Sequence, residues 1–325
     1  MTFENGIIHA LKFNGDGSAT ELKGQDISDT VHSDDLAWVH FDARDPSSGD
    51  WIEKEVDYLD RIIIDALLAE ETRPRFVEHE NGVLLILRGM NFNENERHED
   101  MVSIRIWADE HRIITLQRRQ LKATKDIAEK LTEGKGPKDA ADFLVQISSR
   151  LFDRMEPVLS ELDEKLDDLE ELIMEDPDGA HRQKITEIRK KAIVFRRYIA
   201  PQKDVMMSLR TVEQDWISSN HRRRIQESLD RVTRFVEDLD AARERAQIIK
   251  DELANALADK MNKNLYMLSL VAAIFLPLGF LTGMLGINVG GIPGADNESA
   301  FMIITGILVV LVATQLVLFR WLKWI

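Results

Sequence analysis

The sequence predicts a mixed α/β domain, then long helices, then a two-helix transmembrane hairpin. Three observations predict it. Short β-branched runs crowd the first 120 residues. Neither Gly nor Pro occurs between Pro201 and Pro277. Two long apolar runs without charge close the chain, Asn264 to Ala295 and Ser299 to Phe319. The expected boundaries are 1–120 for the α/β domain, 121–264 for a helical stalk and 265–325 for the hairpin.

Composition narrows the function classes. The 325 residues carry a net charge of -15 and contain no Cys. A nucleic-acid binder shows a basic face, so no nucleic acid is expected as partner. The charge fits cationic partners, metal ions included. Disulfides and thiolate metal sites are impossible without Cys. The opening MTFENGIIHALKFNGDG has no basic n-region and no apolar run of signal-peptide length. The N-terminus is therefore expected in the cytoplasm.

In the first domain, AWVHFD (37–42), GVLLILRG (82–89), MVSIRIWAD (101–109) and HRIITLQ (111–117) read as strands. Asp109-Glu110 between the last two suggests a hairpin. Segment 51–71 has helical periodicity, with Val56, Leu59, Ile63, Ala66 and Leu67 on one face. No nucleophile–base pair, phosphate loop or paired metal motif occurs here, and no enzymatic activity is expected. The eight His are scattered, with no HxH or HxxxH pair. The densest group of ligand types is Glu94-Asn95-Glu96-Arg97-His98-Glu99-Asp100, a loop by composition.

From about 121 the chain reads as helix. The stretch 150–176 is amphipathic and very acidic, with Leu159, Leu162, Leu166, Leu169 and Ile173 at spacings of three and four. Asp176-Pro177-Asp178-Gly179 ends it with turn chemistry. The next helix is basic through Arg182, Lys184, Arg189, Lys190, Lys191, Arg196 and Arg197. An acidic helix followed by a basic one suggests an antiparallel pair tied by charge; the plainer reading is two solvated faces. Asp163, Asp167, Glu170 and Glu171 are candidates for a cytoplasmic cation-attracting face. Next, Ile225, Leu229, Val232, Val236, Leu239, Ala246, Ile249 and Leu253 follow a 3.5-residue step with one wider gap. A helix from about 219 to 285 would be about 100 Å long. It would enter the membrane without a break.

The hairpin follows from length and charge. LYMLSLVAAIFLPLGFLTGMLG (265–286) has 22 residues, and 299–319 has 21. Each can span a hydrocarbon core of about 30 Å. Lys260 and Lys263 precede the first span, Arg320 and Lys323 follow the second, and the loop 287–298 has neither Lys nor Arg. Positive-inside places both termini in the cytoplasm and the loop outside, with Trp321 and Trp324 as interfacial anchors. The first span carries Ser269, Pro277, Gly279, Thr282, Gly283 and Gly286; the second has only Thr305, Gly306, Thr314 and Gln315 of that kind. Small and polar residues suit close helix contact and a pore axis. The first span is thus the inner helix and the second the lipid-facing one. Just beyond it lies Asn288, whose amide oxygen can accept from the water shell of a cation. Asp296 and Glu298 would concentrate cations outside. The competing reading is a membrane-anchored coiled-coil scaffold, for which any outer loop serves.

YMLSLVAAIFLPLGFLTGMLGINVGGIPGADNESAF (266–301) resembles the hairpin signature of the CorA superfamily of divalent-cation transporters. Gly286-Ile287-Asn288 stands where that family has Gly-Met-Asn, and with VGGIPG after it this resembles the zinc-transporting ZntB branch. The resemblance implies a homopentameric funnel in the cell inner membrane, with a pore lined by the first span. Gly286, Ile287 and Asn288 would form its entrance filter. Thr282 or Gly283, Gly279, Leu276, Ala272, Leu268, Leu265 and Asn262 would follow along the axis. Many relatives have Thr at the place of Gly279, so a hydroxyl ring there would be missing. The branch is described as coupling zinc to protons. The magnesium channels of the same superfamily are the alternative within it.

The hairpin itself holds no Cys, His or carboxylate between Asn264 and Ala295. Zinc is normally held by those groups. A largely hydrated ion passing neutral oxygens is expected, with weak discrimination among Zn2+, Ni2+, Co2+ and Cd2+. No resident cofactor is expected; zinc is cargo. Intramembrane proton relays use Asp, Glu or His. Any coupling groups must therefore lie at the pore ends, and Leu265, Leu268 and Leu276 could gate by dewetting.

Overall fold

Strand-forming runs in the first part of the chain assemble into one seven-stranded mixed sheet. The computed structural model describes residues 6–56, 58–70, 72–286, 294 and 297–324. They fall into two compact units, Met1–Asp251 and Glu252–Ile325. The sheet belongs to the first. Its strands are β1 (Ile7–Phe13), β2 (Ala19–Glu21), β3 (Ala37–Asp42), β4 (Arg75–His79), β5 (Gly82–Gly89), β6 (Val102–Ala108) and β7 (Arg112–Gln117), in the order β2-β1-β3-β7-β6-β5-β4. Only β3 and β7 pair in parallel; the other neighbours are antiparallel.

Apolar runs set the middle of this order. β5, β6 and β7 are buried along almost their whole lengths, because both sheet faces are covered. On one face Phe41, Leu84, Trp107 and Leu116 pack with Ile52, Ile63 and Leu67 of the short helices. On the other, the Trp38 ring lies 4.9 Å from that of Phe143. The β6–β7 hairpin turns on Asp109, whose carboxylate accepts from the backbone N–H of His111 and Arg112, each at 2.9 Å.

The periodic segment 51–71 is two helices rather than one. These are α2 (Pro46–Glu55) and α3 (Arg61–Leu68), after α1 (Gln25–Val31). Asp60 separates them: its carboxylate accepts from Ile62 N–H at 2.8 Å and starts a new helix. Val56 and Leu59 stay buried between them, so the apolar face survives the break. Strands β1, β2 and β4 lie at the sheet's outer positions, where half-exposed polar residues dilute the strand signal.

The helices that follow are α4 (Lys122–Thr132), α5 (Ala140–Glu175), α6 (His181–Thr211) and α7 (Ser219–Leu285). Asp139 caps α5 through Asp142 N–H at 2.7 Å. Leu159, Leu162, Leu166, Leu169 and Ile173 are all buried. Among the described residues no direct ion pair joins α5 to α6; Lys191 and Lys165 act on Glu161 and Glu187 of the facing helix only at longer range. Among the described residues, ion pairs from α5 to other helices run to α4 and α7: Arg150 and Arg154 to Asp126, Asp142 to Arg224, Asp153 to Arg231. Apolar side chains join α5 to α6, and Leu162, Leu169, Ile188 and Phe195 share the wall of a cleft of about 500 Å³ with Glu161, Lys165, Glu187 and Lys191.

α7 is continuous over 67 residues. Its inner stripe is buried at Ile225, Leu229, Val232, Leu239, Ala246 and Ile249. Phe235 takes the inner position next to half-buried Val236, and Ala242 fills the wider gap in the stripe. Phe235 meets the ring of Phe152 on α5 edge-on at 6.5 Å. In the second unit the end of α7 runs beside α8 (Ala300–Trp321).

Candidate ion pathway in the membrane hairpin

Both hairpin helices are long and apolar enough to cross a membrane, and no residue of either apolar window is buried within the chain. Side chains such as Leu276 and Phe301 are 70% and 80% exposed. Apolar surface on that scale is covered by lipid or by other copies of the chain.

Helix geometry then divides α7 into two faces. At about 100° per residue, Leu265, Leu268, Ala272, Leu276, Gly279, Gly283 and Gly286 fall within an arc of about 80°. Asn262 and Thr282 flank it. On the opposite side Leu270, Ile274, Leu278 and Leu281 are half-buried, as is Ala273 on the flank beyond Asn262. There the Gln315 amide on α8 donates to the Ala273 carbonyl at 3.3 Å. The stripe expected to line the axis is thus turned away from α8, and all of it but half-buried Ala272 is exposed.

Two members sit at the stripe's margin. Gly279 and Thr282 also line a groove of about 620 Å³ shared with Thr305, Val309, Val312 and Leu316 of α8. The Thr282 hydroxyl donates to the Leu278 carbonyl at 2.9 Å, so its proton is spent on its own helix. A Cβ added at Gly279, Gly283 or Gly306 would meet nothing within 4 Å. Packing within one chain therefore does not require these glycines.

At the outer end, Gly286 closes α7 with a backbone bond to the Thr282 carbonyl at 2.9 Å. Ile287, Asn288 and Asp296 lie outside the described residues. Glu298 is exposed. Before it, Asn297 accepts from Ser299 N–H at 2.9 Å and shapes the entry to α8. At the other end, the Tyr266 hydroxyl donates to the Trp324 carbonyl, and Trp324 stacks on Phe319 with centroids 5.5 Å apart.

The cytoplasmic carboxylates are differently placed. Asp163, Asp167 and Glu170 converge on Arg245 of α7, at 3.2, 2.5 and 2.7 Å. The hydrogen bonds that Arg245 donates to Glu170 and Asp167 push its pKa further up, so the guanidinium stays charged. Asp238 borders the same cavity, and burial and Asp163 hold its pKa above the ordinary value. Glu171 is exposed. Among the described residues, no three His, Asp or Glu stand where they could hold a metal ion. In the loop 94–100, Glu96 is bound by Asn91 and Arg119, and His98 Nδ1 lies 2.6 Å from the Asn91 carbonyl. Sequence reasoning missed Arg245 and read Asp163, Asp167, Glu170 and Glu171 only as a cation-attracting face; the signal was a cation on α7, the next long helix but one.

The profile of the CorA-like Mg2+ transporter protein family matches residues 33–323. The chain belongs to that family. CorA-like relatives cover nearly the whole chain. A zinc transport protein, ZntB of Pectobacterium atrosepticum, is 37% identical over 308 residues, 95% of this chain and 93% of that one. The divalent cation transporter CmaX of Pseudomonas aeruginosa is 34% identical over 326 residues, 99% and 98% of the two chains. The solved structure of full-length CmaX superposes with a TM-score of 0.84 over 99% of both chains, at 34% identity. The CorA magnesium transporter of Methanocaldococcus jannaschii, at 19% identity, shares the fold with a TM-score of 0.78 over 98% of this chain and 99% of that one. As a member of a transporter family with two apolar helices, the chain is a membrane protein.

Proposed function

We propose that this chain carries Zn2+ across the cell inner membrane through a pore built by five copies, and that it is a transporter and not an enzyme. The observation that carries this reading is the uncharged stripe from Leu265 to Gly286, which α8 leaves uncovered. A lone hairpin encloses no pore, whereas a ring of such stripes does. Open space at Gly279 and Gly283 supports close approach of neighbouring copies. Zinc as cargo is supported by relatives named for zinc transport at 33–37% identity. The stripe holds no carboxylate, His or Cys. It suits a hydrated ion and weak discrimination against Ni2+, Co2+ and Cd2+.

In this reading Gly286, Ile287 and Asn288 form the outer filter, and Asp296 and Glu298 draw cations to it. Both termini are cytoplasmic, zinc is cargo and there is no resident cofactor. Proton coupling, where present, uses groups at the pore ends. The carboxylates around Arg245 are at most a weak cation-attracting face. A second reading, magnesium transport, is favoured by the name of the matching family.

The test is metal uptake into proteoliposomes of the full chain, with and without a pH gradient, beside an Asn288→Ala control. Zinc uptake above magnesium uptake, lost in the control, is expected. Acceleration by an acidic outside establishes coupling, and magnesium uptake alone selects the second reading. Silence of a folded, oligomeric wild type overturns transport and favours a membrane-anchored scaffold.

A further inference from the structure

Pro277 stands inside α7, in the middle of the first apolar span. A proline has no N–H, so it cannot donate to the carbonyl four residues earlier. That carbonyl belongs to Ala273. In water such a loss is mild, because solvent supplies the missing donor. Two other prolines illustrate this: Pro157 in α5 and Pro201 in α6. The carbonyls they leave belong to half-buried Asp153 and exposed Arg197, outside the membrane hairpin. In the hydrocarbon core no water serves, and an unsatisfied backbone group costs several kcal/mol.

The Ala273 carbonyl is the atom that Gln315 reaches. Its Nε2 lies 3.3 Å away, across the hairpin from α8. Gln315 is itself anomalous. It is a carboxamide in a helix whose apolar window has a mean hydropathy of 2.6. Leu, Val or Ile there would cost nothing against lipid. Ala273 is half-buried on a flank of α7, outside the stripe from Leu265 to Gly286.

We propose that Gln315 is a positioning residue for transport: its side-chain amide replaces the backbone hydrogen bond that Pro277 removes, and so fixes the pore-facing helix against α8 at the proline. The inference rests on the transport reading only for its consequence. The bond itself follows from Pro277, Ala273 and Gln315 alone. It also explains why α8, otherwise lipid-facing, keeps one long polar side chain at this depth. Helix α7 needs an outside donor where its own ladder is interrupted, and Gln315 on the neighbouring helix supplies one. Its Oε1 is buried without a partner, so the residue is held for its donor, not its acceptor.

A double-variant cycle tests this on the full chain in detergent and in liposomes. Gln315→Met keeps length and volume and removes the donor. Pro277→Ala restores an N–H to the Ala273 carbonyl and makes the side-chain donor redundant. In the Pro277 background, Gln315→Met is expected to lower the folded-to-unfolded ratio about three- to twentyfold, the range of interhelical hydrogen bonds in membranes. It is also expected to lower zinc flux. In the Pro277→Ala background the same change is expected to do neither. A residue that merely filled space would lose as much in both backgrounds, and equal losses overturn the proposal. So does a Gln315→Met chain as stable and active as wild type.

Should Pro277→Ala fail to fold, the carbon-13 shift of the Ala273 carbonyl in wild type and Gln315→Met decides instead. It moves upfield if the bond is lost, and an unmoved shift refutes the bond. The stability and shift readouts need no ion. A wild type that melts as expected and moves no zinc therefore counts against the transport reading, not against this bond.

Discussion

His40 shows how one side chain sets a pH limit on the fold. It lies in β3 opposite His9 of β1, with the rings 6.1 Å apart. Trp38 Nε1 donates to the Thr115 hydroxyl at 2.8 Å, and His40 Nδ1 lies 2.7 Å from the same oxygen. His40 Nε2 is buried without a hydrogen-bond partner. Burial, then the neighbouring His9, pushes the His40 pKa down to about 3 from 6.5. Between these values the unfolded chain binds a proton that the folded chain refuses. Stability therefore falls as pH drops from about 6.5 toward 3, by about 1.4 kcal/mol per pH unit for this group. Melting curves of the detergent-purified chain from pH 7 to 4.5 should fall more steeply for wild type than for His40→Gln. Parallel curves would mean that His40 is not the group being titrated.

Helices α5 and α7 are joined by the convergence of three carboxylates on Arg245. These groups are partly exposed, between 37% and 61%, so each pair is worth about 0–1 kcal/mol. One guanidinium serves all three, and its conformational entropy is lost only once. Arg245→Gln should destabilise the chain by about 1–2 kcal/mol at low salt, with three carboxylates then repelling one another. In 1 M salt, where the Debye length is about 3 Å, most of that loss should vanish. A salt-independent loss would point to packing of the Arg245 stem instead. The same elements mark what the sequence could convey. Spacings of three and four named the buried Leu of α5 correctly, because burial acts through periodicity. Charge sums tied α5 to α6 by ion pairs, whereas the ion pairs of α5 run to α4 and α7, because net charge gives the amount of attraction and not its direction. Asp60 divided segment 51–71 through a local cap, a signal that a continuous apolar face hides.

At the scale of the molecule, the sequence made the α/β sheet, the unbroken long helix and the apolar hairpin legible, since each rests on runs of many residues. The stripe from Leu265 to Gly286 came from the resemblance, and helical spacing keeps it on one face of α7. Single contacts such as Tyr266 to Trp324 and Gln315 to Ala273 were not legible, because they join residues 58 and 42 positions apart. Orientation in the membrane is a whole-molecule property that flanking charge alone proposes. Lys260 and Lys263 stand before the first span and Arg320 and Lys323 after the second, while the intervening loop has no Lys or Arg. Positive-inside then sets both ends in the cytoplasm. The chain contains no Cys, so single replacements report accessibility without background. Glu298→Cys, Met261→Cys and Leu322→Cys leave all four basic flanking residues in place. A membrane-impermeant maleimide on intact cells should modify only Glu298→Cys, and the other two only after lysis. The reverse pattern would invert the hairpin and place the Gly286 end of the stripe inside the cell, where Glu298 would meet cytoplasmic rather than external cations.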